Sequence, residues 1–416
     1  MADTNADAIE VVRHRPMGFA EFVIVIATIM SLNPLAMDMM LPALPEIGSS
    51  FHIDSPNHLQ MVLSAFLLGF GVGQFAIGPL SDSFGRRPVL LGGMVLYVVA
   101  SLFAIASPSF ETLLLARAME GLGTAATRVI ATSIVRDCYA GRRMASVVSL
   151  AMMVFIAIPV VAPSFGQAVM TLVQWRGIFV VLTIYGLVTL LWSAARLPET
   201  LPEDERKPFS AGAILDAFRN TLTNRQTLGY ALAAAGISGA IFAYVLCAQQ
   251  IFTGVYGLGR SFPLAFAAIA AAIAIAGFLN SRLVVRLGMR MISHAALVLC
   301  LLVAAAMFVA AHMHLLPLWA FMALSALMMF AFGLMFSNFT ALALEPQRFN
   351  AGTASSLYGS ITTLLGIGAG AVIGQGYDGT VTPFATGFLA CIFISLVIVA
   401  ITEKGRLFRP HNPATK

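Results

Sequence analysis

Charge is scarce in this chain. Asp, Glu, Lys and Arg make up 10% of its 416 residues, where a soluble domain carries about 25%. Together with 59% hydrophobic residues and a mean hydropathy of +0.88, that scarcity excludes both a soluble globular fold and a disordered chain. Cysteine is scarce as well. Cys138, Cys247, Cys300 and Cys391 lie far apart with no CxxC pairing, so neither a disulfide framework nor a metal site is expected. The basic clusters that a nucleic-acid partner requires are missing. So are a phosphate-binding glycine loop, a Ser-His-Asp order and a soluble domain large enough for nucleotide hydrolysis. These absences predict no enzyme, no cofactor and no nucleic-acid partner.

What the chain does contain is apolar length. A bilayer span needs about 20 apolar residues, and runs of that size fall at roughly 19–43, 59–80, 88–107, 112–135, 144–170, 177–196, 226–252, 262–284, 291–312, 316–342, 351–375 and 382–402. The expected fold is an all-α integral membrane protein with twelve transmembrane helices. Basic residues collect on the cytoplasmic side of short loops. With both termini cytoplasmic, every Lys and Arg except Arg117, Arg128, Arg176 and Arg260 falls inside, and the first two of these lie within a span. Arg13 and Arg15 ahead of an apolar run resemble a secretory signal. The run from Phe19 is long enough to span, however, and no small-residue cleavage site follows.

The polar stretch 197–224, with Pro198, Glu199, Pro202, Glu203, Asp204, Glu205, Arg206, Lys207 and Pro208, divides the spans six and six. The predicted organisation is a cytoplasmic tail 1–18, a six-helix bundle 19–196, a cytoplasmic linker 197–224, a second bundle 225–404 and a cytoplasmic tail 405–416. Two equal bundles suggest a duplicated transporter with substrate at their interface. A trace of the repeat survives: Gly85-Arg86-Arg87 after the second span matches Gly288-Met289-Arg290 after the eighth. Glycine-rich faces, Gly69, Gly71, Gly73 and Gly78 in the second span and Gly366, Gly368, Gly370 and Gly374 in the eleventh, let helices approach closely or slide.

With these features in place, the chain resembles the major facilitator superfamily. The stretch Gly78-Pro-Leu-Ser-Asp82-Ser-Phe-Gly85-Arg86-Arg87-Pro88 resembles its signature loop, and Arg117-Ala-Met-Glu120-Gly121-Leu-Gly123 resembles its fourth-span motif. Pro159-Val-Val-Ala-Pro163-Ser-Phe-Gly166 is similar, more loosely, to the fifth-span motif of the antiporters. Asp38-Met-Met-Leu-Pro42-Ala-Leu-Pro45, Arg136-Asp137 and Pro198-Glu-Thr200 are similar to twelve-span drug:proton antiporters of the bicyclomycin and chloramphenicol resistance group. The resemblance implies two pseudo-symmetric bundles, a bacterial cytoplasmic (inner) membrane location, a monomer, and proton-coupled export of small amphipathic drugs by alternating access. A transporter of one endogenous metabolite and a non-transporting sensor are the alternatives.

Charges inside a membrane are costly and therefore functional candidates. Four stand out: Asp38, Arg117, Glu120 and Arg128. Asp38 and Arg117 lie at similar depths and can face each other. Glu120 is one turn from Arg117, and Arg128 shares the Arg117 face deeper toward the cytoplasm. Asp38 and Glu120, with Arg117 as partner, are the expected proton site, because a carboxylate's proton affinity follows its solvation and its neighbours; a static ion pair is the alternative. The relatives implied by the resemblance commonly carry Gln at the Glu120 position. The expected substrate cavity contains Asp38, Arg117, Arg128, Met153, Tyr244, Gln249, Asn338 and Tyr358. Met152, Phe155, Phe242, Phe252, Phe330, Phe332, Met335 and Phe336 are adaptable apolar candidates. With Arg117 and Arg128 offset by the two acids, neutral or zwitterionic substrates are expected. Gly78, Asp82, Gly85, Arg86, Arg87 and Asp137 form the expected cytoplasmic gate, with Asp82 near the start of the eleventh span. Pro159, Pro163 and Gly166 should bend the fifth helix.

Overall fold

Without water in the bilayer core, every backbone N–H must find its acceptor within its own segment, and a chain of apolar runs therefore folds as helices. The computed structural model describes residues 17–139, 141–206, 222–347 and 351–409, together with 212 and 219. Expectations at Arg13, Arg15, Lys207, Arg348 and Lys416, and at the side chains of Arg142, Met152 and Phe155, lie outside the described residues. Among the described residues are twelve long helices: α1 Phe19–Asp38, α2 Met61–Phe84, α3 Arg86–Ile105, α4 Phe110–Cys138, α5 Gly141–Leu172, α6 Arg176–Arg196, α7 Arg225–Gln249, α8 Phe262–Leu287, α9 Met289–His312, α10 Leu318–Leu344, α11 Ala351–Gln375 and α12 Thr382–Thr402. Ten of them are long and apolar enough to cross a membrane, some with the short turns beside them. Of the remaining two, α5 supplies the shorter apolar stretch Ala157–Leu172. The other, α4, is interrupted by Arg117, Glu120 and Arg128.

Two ends depart from the expected spans for local reasons. The first run stops being α-helical at Asp38 and passes through a 3-10 turn, Leu41–Ala43, into a short helix, Leu44–Phe51. Pro42 and Pro45 each begin one of these pieces, where a missing N–H costs nothing. The seventh run leaves α7 as a π-helical turn, Gln250–Val255.

Helices α1 to α6 pack chiefly on one another, through α2 on α4, α3 on α4 and α6, and α1 on α5. Helices α7 to α12 do the same, through α7 on α11 and α12, α8 on α10, and α9 on α10 and α12. The two sets meet along α2 with α11 and along α5 with α8, and pairing each helix with the one six places away in the chain (α2 with α8, α5 with α11) turns one contact into the other. The weak internal repeat is real in the backbone. Gly85 and Gly288 both adopt left-handed φ, 101° and 80°, with ψ of 157° at each, in the one-residue turns α2–α3 and α8–α9. A side chain there would be strained.

Small residues set the closest approach. A Cβ on Gly121 of α4 would collide with the backbone carbonyl of Phe66 in α2, and one on Gly69 with that of Ala118. Lipid supplies no hydrophobic drive to hold two helices together, so this backbone contact is what lets dispersion bind them. Leu68, Phe103, Ile184, Phe278 and Phe393 remain exposed, apolar side chains suited to lipid.

Candidate functional site

A cavity of about 250 Å³ opens between the two helix sets. It runs from Met30 in the middle of α1 and Thr363 in the middle of α11 to Arg136 and Thr340, near the ends of α4 and α10. Those ends share one side of the molecule with Arg86, Arg196, Arg206, Arg290 and Arg406, so the cavity points toward the basic end. Arg128 and Tyr358 are among its lining residues, with Phe332, Met335 and Phe336.

The other expected cavity residues lie elsewhere. Arg117 is fully buried inside the first helix set, and Asn338 is held between α8 and α10 by bonds to Asn280 Oδ1 (2.8 Å) and the Leu334 carbonyl. Met153 is exposed, and neither it nor Gln249 belongs to the lining. Asp38 and Tyr244 sit beyond the closed end of the cavity as electrostatic neighbours across the two sets, each almost wholly buried. Among the described residues, the Tyr244 hydroxyl has no hydrogen-bond partner and Asp38 forms no ion pair.

Arg117 does not face Asp38. Its Nη1 lies 2.6 Å from Glu120 Oε2, Nη2 donates to the Ala36 carbonyl (3.2 Å), Nε donates to the Val62 carbonyl (3.3 Å), and the guanidinium covers the Phe66 ring at 4.4 Å. Ser101 donates to the other Glu120 oxygen at 2.5 Å. One buried guanidinium thus ties α1, α2 and α4 together, and Glu120 adds α3. Arg128 is on the same face of α4, but eleven residues carry it about 16 Å along the axis, from that closed packing into the cavity.

At the basic end, Arg86 reaches Asp82 (2.5 Å), Asp137 (3.2 Å) and the Ser81 hydroxyl (2.8 Å). The expected acid–base–acid relay is present, and all its partners belong to the first helix set. Glu199, part of the linker and of the Pro198-Glu-Thr200 motif, completes it: its carboxylate accepts from the backbone N–H of Arg86 and of Arg87, at 2.9 and 3.2 Å. An acid over the first turn of α3 is favoured by the helix dipole. Arg87 donates to the Ala194 carbonyl (2.7 Å), and a Cβ on Gly78 would meet Ser356 of α11. The side chains of the first turn of α11, where Asp82 was expected to dock, lie outside the described residues.

A second relay was not anticipated. Arg290, two residues after Gly288, pairs with Glu403 (3.0 Å) and Glu345 (3.6 Å), and Tyr230 also donates to Glu403 (2.6 Å). Arg290, Glu345 and Glu403 lie just after Gly288, α10 and α12, much as Arg86 lies just after Gly85, Asp137 in the last turn of α4 and Glu199 just after α6. The Gly85–Gly288 offset of 203 residues carries Arg87 onto Arg290 but Asp137 onto Thr340 and Glu199 onto Thr402, so the alignment reaches the arginine and misses both acids.

The opposite end is closed by amides. Gln60 donates to Gln250 Oε1 (2.6 Å) and to the Gly374 carbonyl (3.1 Å), Gln250 donates to the Pro56 carbonyl (2.6 Å), and Asn57 and Gln375 bond each other's backbone. Every one of these bonds crosses between the helix sets. Gln250 opens the π-helical turn, one residue beyond the Gln249 expected in the cavity. Pro159 and Pro163 both lie within α5, which packs against α1 and against α8 of the other set. There, Gly166 meets the Met39 carbonyl too closely to accept a Cβ.

Comparison with known proteins is consistent with this architecture. The Major Facilitator Superfamily matches residues 26–371. A Haemophilus influenzae protein named as a bicyclomycin resistance protein homolog is 29% identical over 90% of this chain and 94% of its own length. Multidrug resistance protein D of Escherichia coli is 28% identical over 82% of this chain and 85% of its own. Among solved structures, the xylose transporter XylE of E. coli, in a partially occluded inward open conformation, superposes with a TM-score of 0.70 at 12% identity, covering 91% of this chain and 96% of that one.

Proposed function

Because the chain belongs to the major facilitator superfamily, we propose that it exports small amphipathic drugs across the bacterial inner membrane, as a monomer, by exchanging them for protons. The observation that carries this reading is a cavity open at one end and sealed at the other by hydrogen bonds that join the two helix sets. A positive-inside orientation makes the basic end cytoplasmic and the cavity inward-facing. The proposed domains are the six-helix bundles 19–196 and 225–404 joined by the linker 197–224. The likeness to proteins named for bicyclomycin and multidrug resistance supports drugs as cargo.

Asp38 is the proposed proton site. Its buried carboxyl has no counter-cation among the described residues and sits at the seam that opens when the outer seal parts, so its proton affinity differs between the wet and the sealed state. Arg117 contributes through the Ala36 carbonyl, two residues away, which it holds in place. The relays around Arg86 and Arg290 keep each bundle rigid at the cytoplasmic end while the bundles rock. The modest cavity favours one second reading, a transporter for a single small metabolite with the same coupling.

Growth of a drug-hypersensitive bacterial strain expressing the chain tests the export reading. Resistance to amphipathic antibiotics that disappears when the proton gradient is dissipated is the expected result, and no change with any compound contradicts it. The seal makes its own prediction. Gln60→Ala with Gln250→Ala removes three cross-bundle hydrogen bonds worth about 1 kcal/mol each. Spin labels on Ser49 and Thr386 should then report a longer distance population that the parent protein lacks.

A further inference from the structure

A second cavity, of about 270 Å³, lies at the basic end of the second helix set, where α7 begins and α12 stops. Among the described residues, four cations line it, Arg225, Arg290, Lys404 and Arg406, and one acid, Glu403. The chain leaves α12 through two left-handed residues, Lys404 and Gly405 (φ 54° and 73°), and this turn carries Lys404 and Arg406 into the lining. From α7, Arg225 donates through Nη2 to the Ile401 carbonyl. Arg290 is already compensated by Glu403 and Glu345. Arg225, Lys404 and Arg406 form no ion pair among the described residues, so three cations share one cavity with no acid of their own. Arg225 is also the first residue of α7, the end of a helix dipole that disfavours a cation and favours an anion. The positive-inside bias accounts for the sign of these residues and not for their convergence on one cavity. An apolar stripe leads to the same place: Phe393, Val397 and Ile401 are exposed at four-residue spacing along one face of α12, ending at the residue whose carbonyl Arg225 holds.

We infer that this cavity binds the phosphate of an anionic phospholipid from the cytoplasmic leaflet, with the acyl chains laid along Phe393, Val397 and Ile401. Phosphate oxygens accept charge-assisted bonds from several donors at once, from the guanidinium fork of an arginine and from a lysine as a point charge. Basic pockets beside spans at the cytoplasmic surface recognise headgroups in this way. A zwitterionic headgroup brings a cation of its own, which the three like charges oppose. A soluble phosphate meets the same cations but gains nothing from the apolar stripe, so the tails decide the source. Bound there, the phosphate bridges Arg225 of α7 to Lys404 and Arg406 beyond α12 and ties the start of the second bundle to its end. The site is separate from the cavity between the bundles and depends on neither the cargo nor the proton coupling proposed above.

The test is equilibrium binding of three probes, dioctanoyl phosphatidylglycerol, dioctanoyl phosphatidylcholine and glycerol 3-phosphate, to the full chain stripped of lipid in a non-ionic detergent. Phosphatidylglycerol should bind about tenfold tighter than either of the others. Lys404→Gln with Arg406→Gln should weaken phosphatidylglycerol by about tenfold or more and move phosphatidylcholine less than about threefold. Arg282→Gln with Arg286→Gln removes the same charge from the cytoplasmic end of α8 and should change phosphatidylglycerol binding less than about threefold. The inference is overturned if the two double variants weaken phosphatidylglycerol equally, which marks diffuse surface charge, or if glycerol 3-phosphate binds as tightly, which marks a soluble phosphate site. Phosphatidylcholine binding as tightly, or no binding of phosphatidylglycerol, overturns it too. Should Lys404→Gln with Arg406→Gln fail to fold, the two single variants are read against the same control, each expected to lose about threefold or more. Binding is read without transport, so its failure leaves the export reading standing, and the reverse also holds.

Discussion

Asp38→Asn is expected to reduce export driven by a proton gradient to the level of empty liposomes while leaving substrate exchange without a gradient intact. Asn keeps the shape and polarity of the side chain and removes only its capacity to carry a proton. The position is buried, at 4% exposure, at the end of α1, is an electrostatic neighbour of Tyr244 in the other bundle, and has no cation to pair with among the described residues. A carboxyl in such surroundings adds little to packing, so the variant should fold, reach the membrane and still carry cargo down its gradient. Loss of exchange and driven export together would mark Asp38 as structural or as a substrate ligand. The readouts are uptake of labelled drug into inverted vesicles with an imposed pH step and counterflow in the same vesicles without one.

Glu120→Gln should have the largest effect on stability and a small one on the pH dependence of transport. Glu120 and Arg117 are both fully buried. Removing one charge of such a pair leaves the other uncompensated, at a cost of about 3–5 kcal/mol, whereas replacing both with apolar residues of similar volume is often nearly neutral. Unfolding in detergent should therefore show Glu120→Gln well below the parent protein, and Arg117→Met combined with Glu120→Met nearer to it than the single variant. The surviving Glu120→Gln protein should keep its pH profile, because the pair is sealed between α1, α2, α3 and α4 and lines no cavity. A flattened profile in folded protein would return Glu120 to the proton site.

The fold was legible because the bilayer simplifies it. Apolar length and basic asymmetry located the helices to within a few residues, and the breaks at Pro42 and Gln250 are where local backbone chemistry intervenes. The relay around Arg86 was legible because Asp82 and Arg86 share one short stretch and Asp137 stands beside Arg136 at the end of α4. The counterpart around Arg290 was not, because Glu345 and Glu403 are single acids that only the fold gathers. The Arg117 partner shows the limit of depth arithmetic. Rise per residue places Asp38 and Arg117 at one level, but the azimuth of α1 is set by packing, which turns the Ala36 carbonyl and not the Asp38 carboxyl toward the guanidinium. The outer seal left no signal, since Gln60, Gln250 and Gln375 resemble ordinary interfacial amides until α2, α7 and α11 are brought together.

Proton exchange at Asp38 is the central claim, and it is tested most directly by recording lumenal pH in proteoliposomes, with a pH-sensitive dye, as a drug gradient is imposed. The reconstituted chain should move protons opposite to the drug, and Asp38→Asn should abolish that proton signal while labelled drug still equilibrates. Drug movement without any pH change, or an equal proton signal from Asp38→Asn, would contradict it.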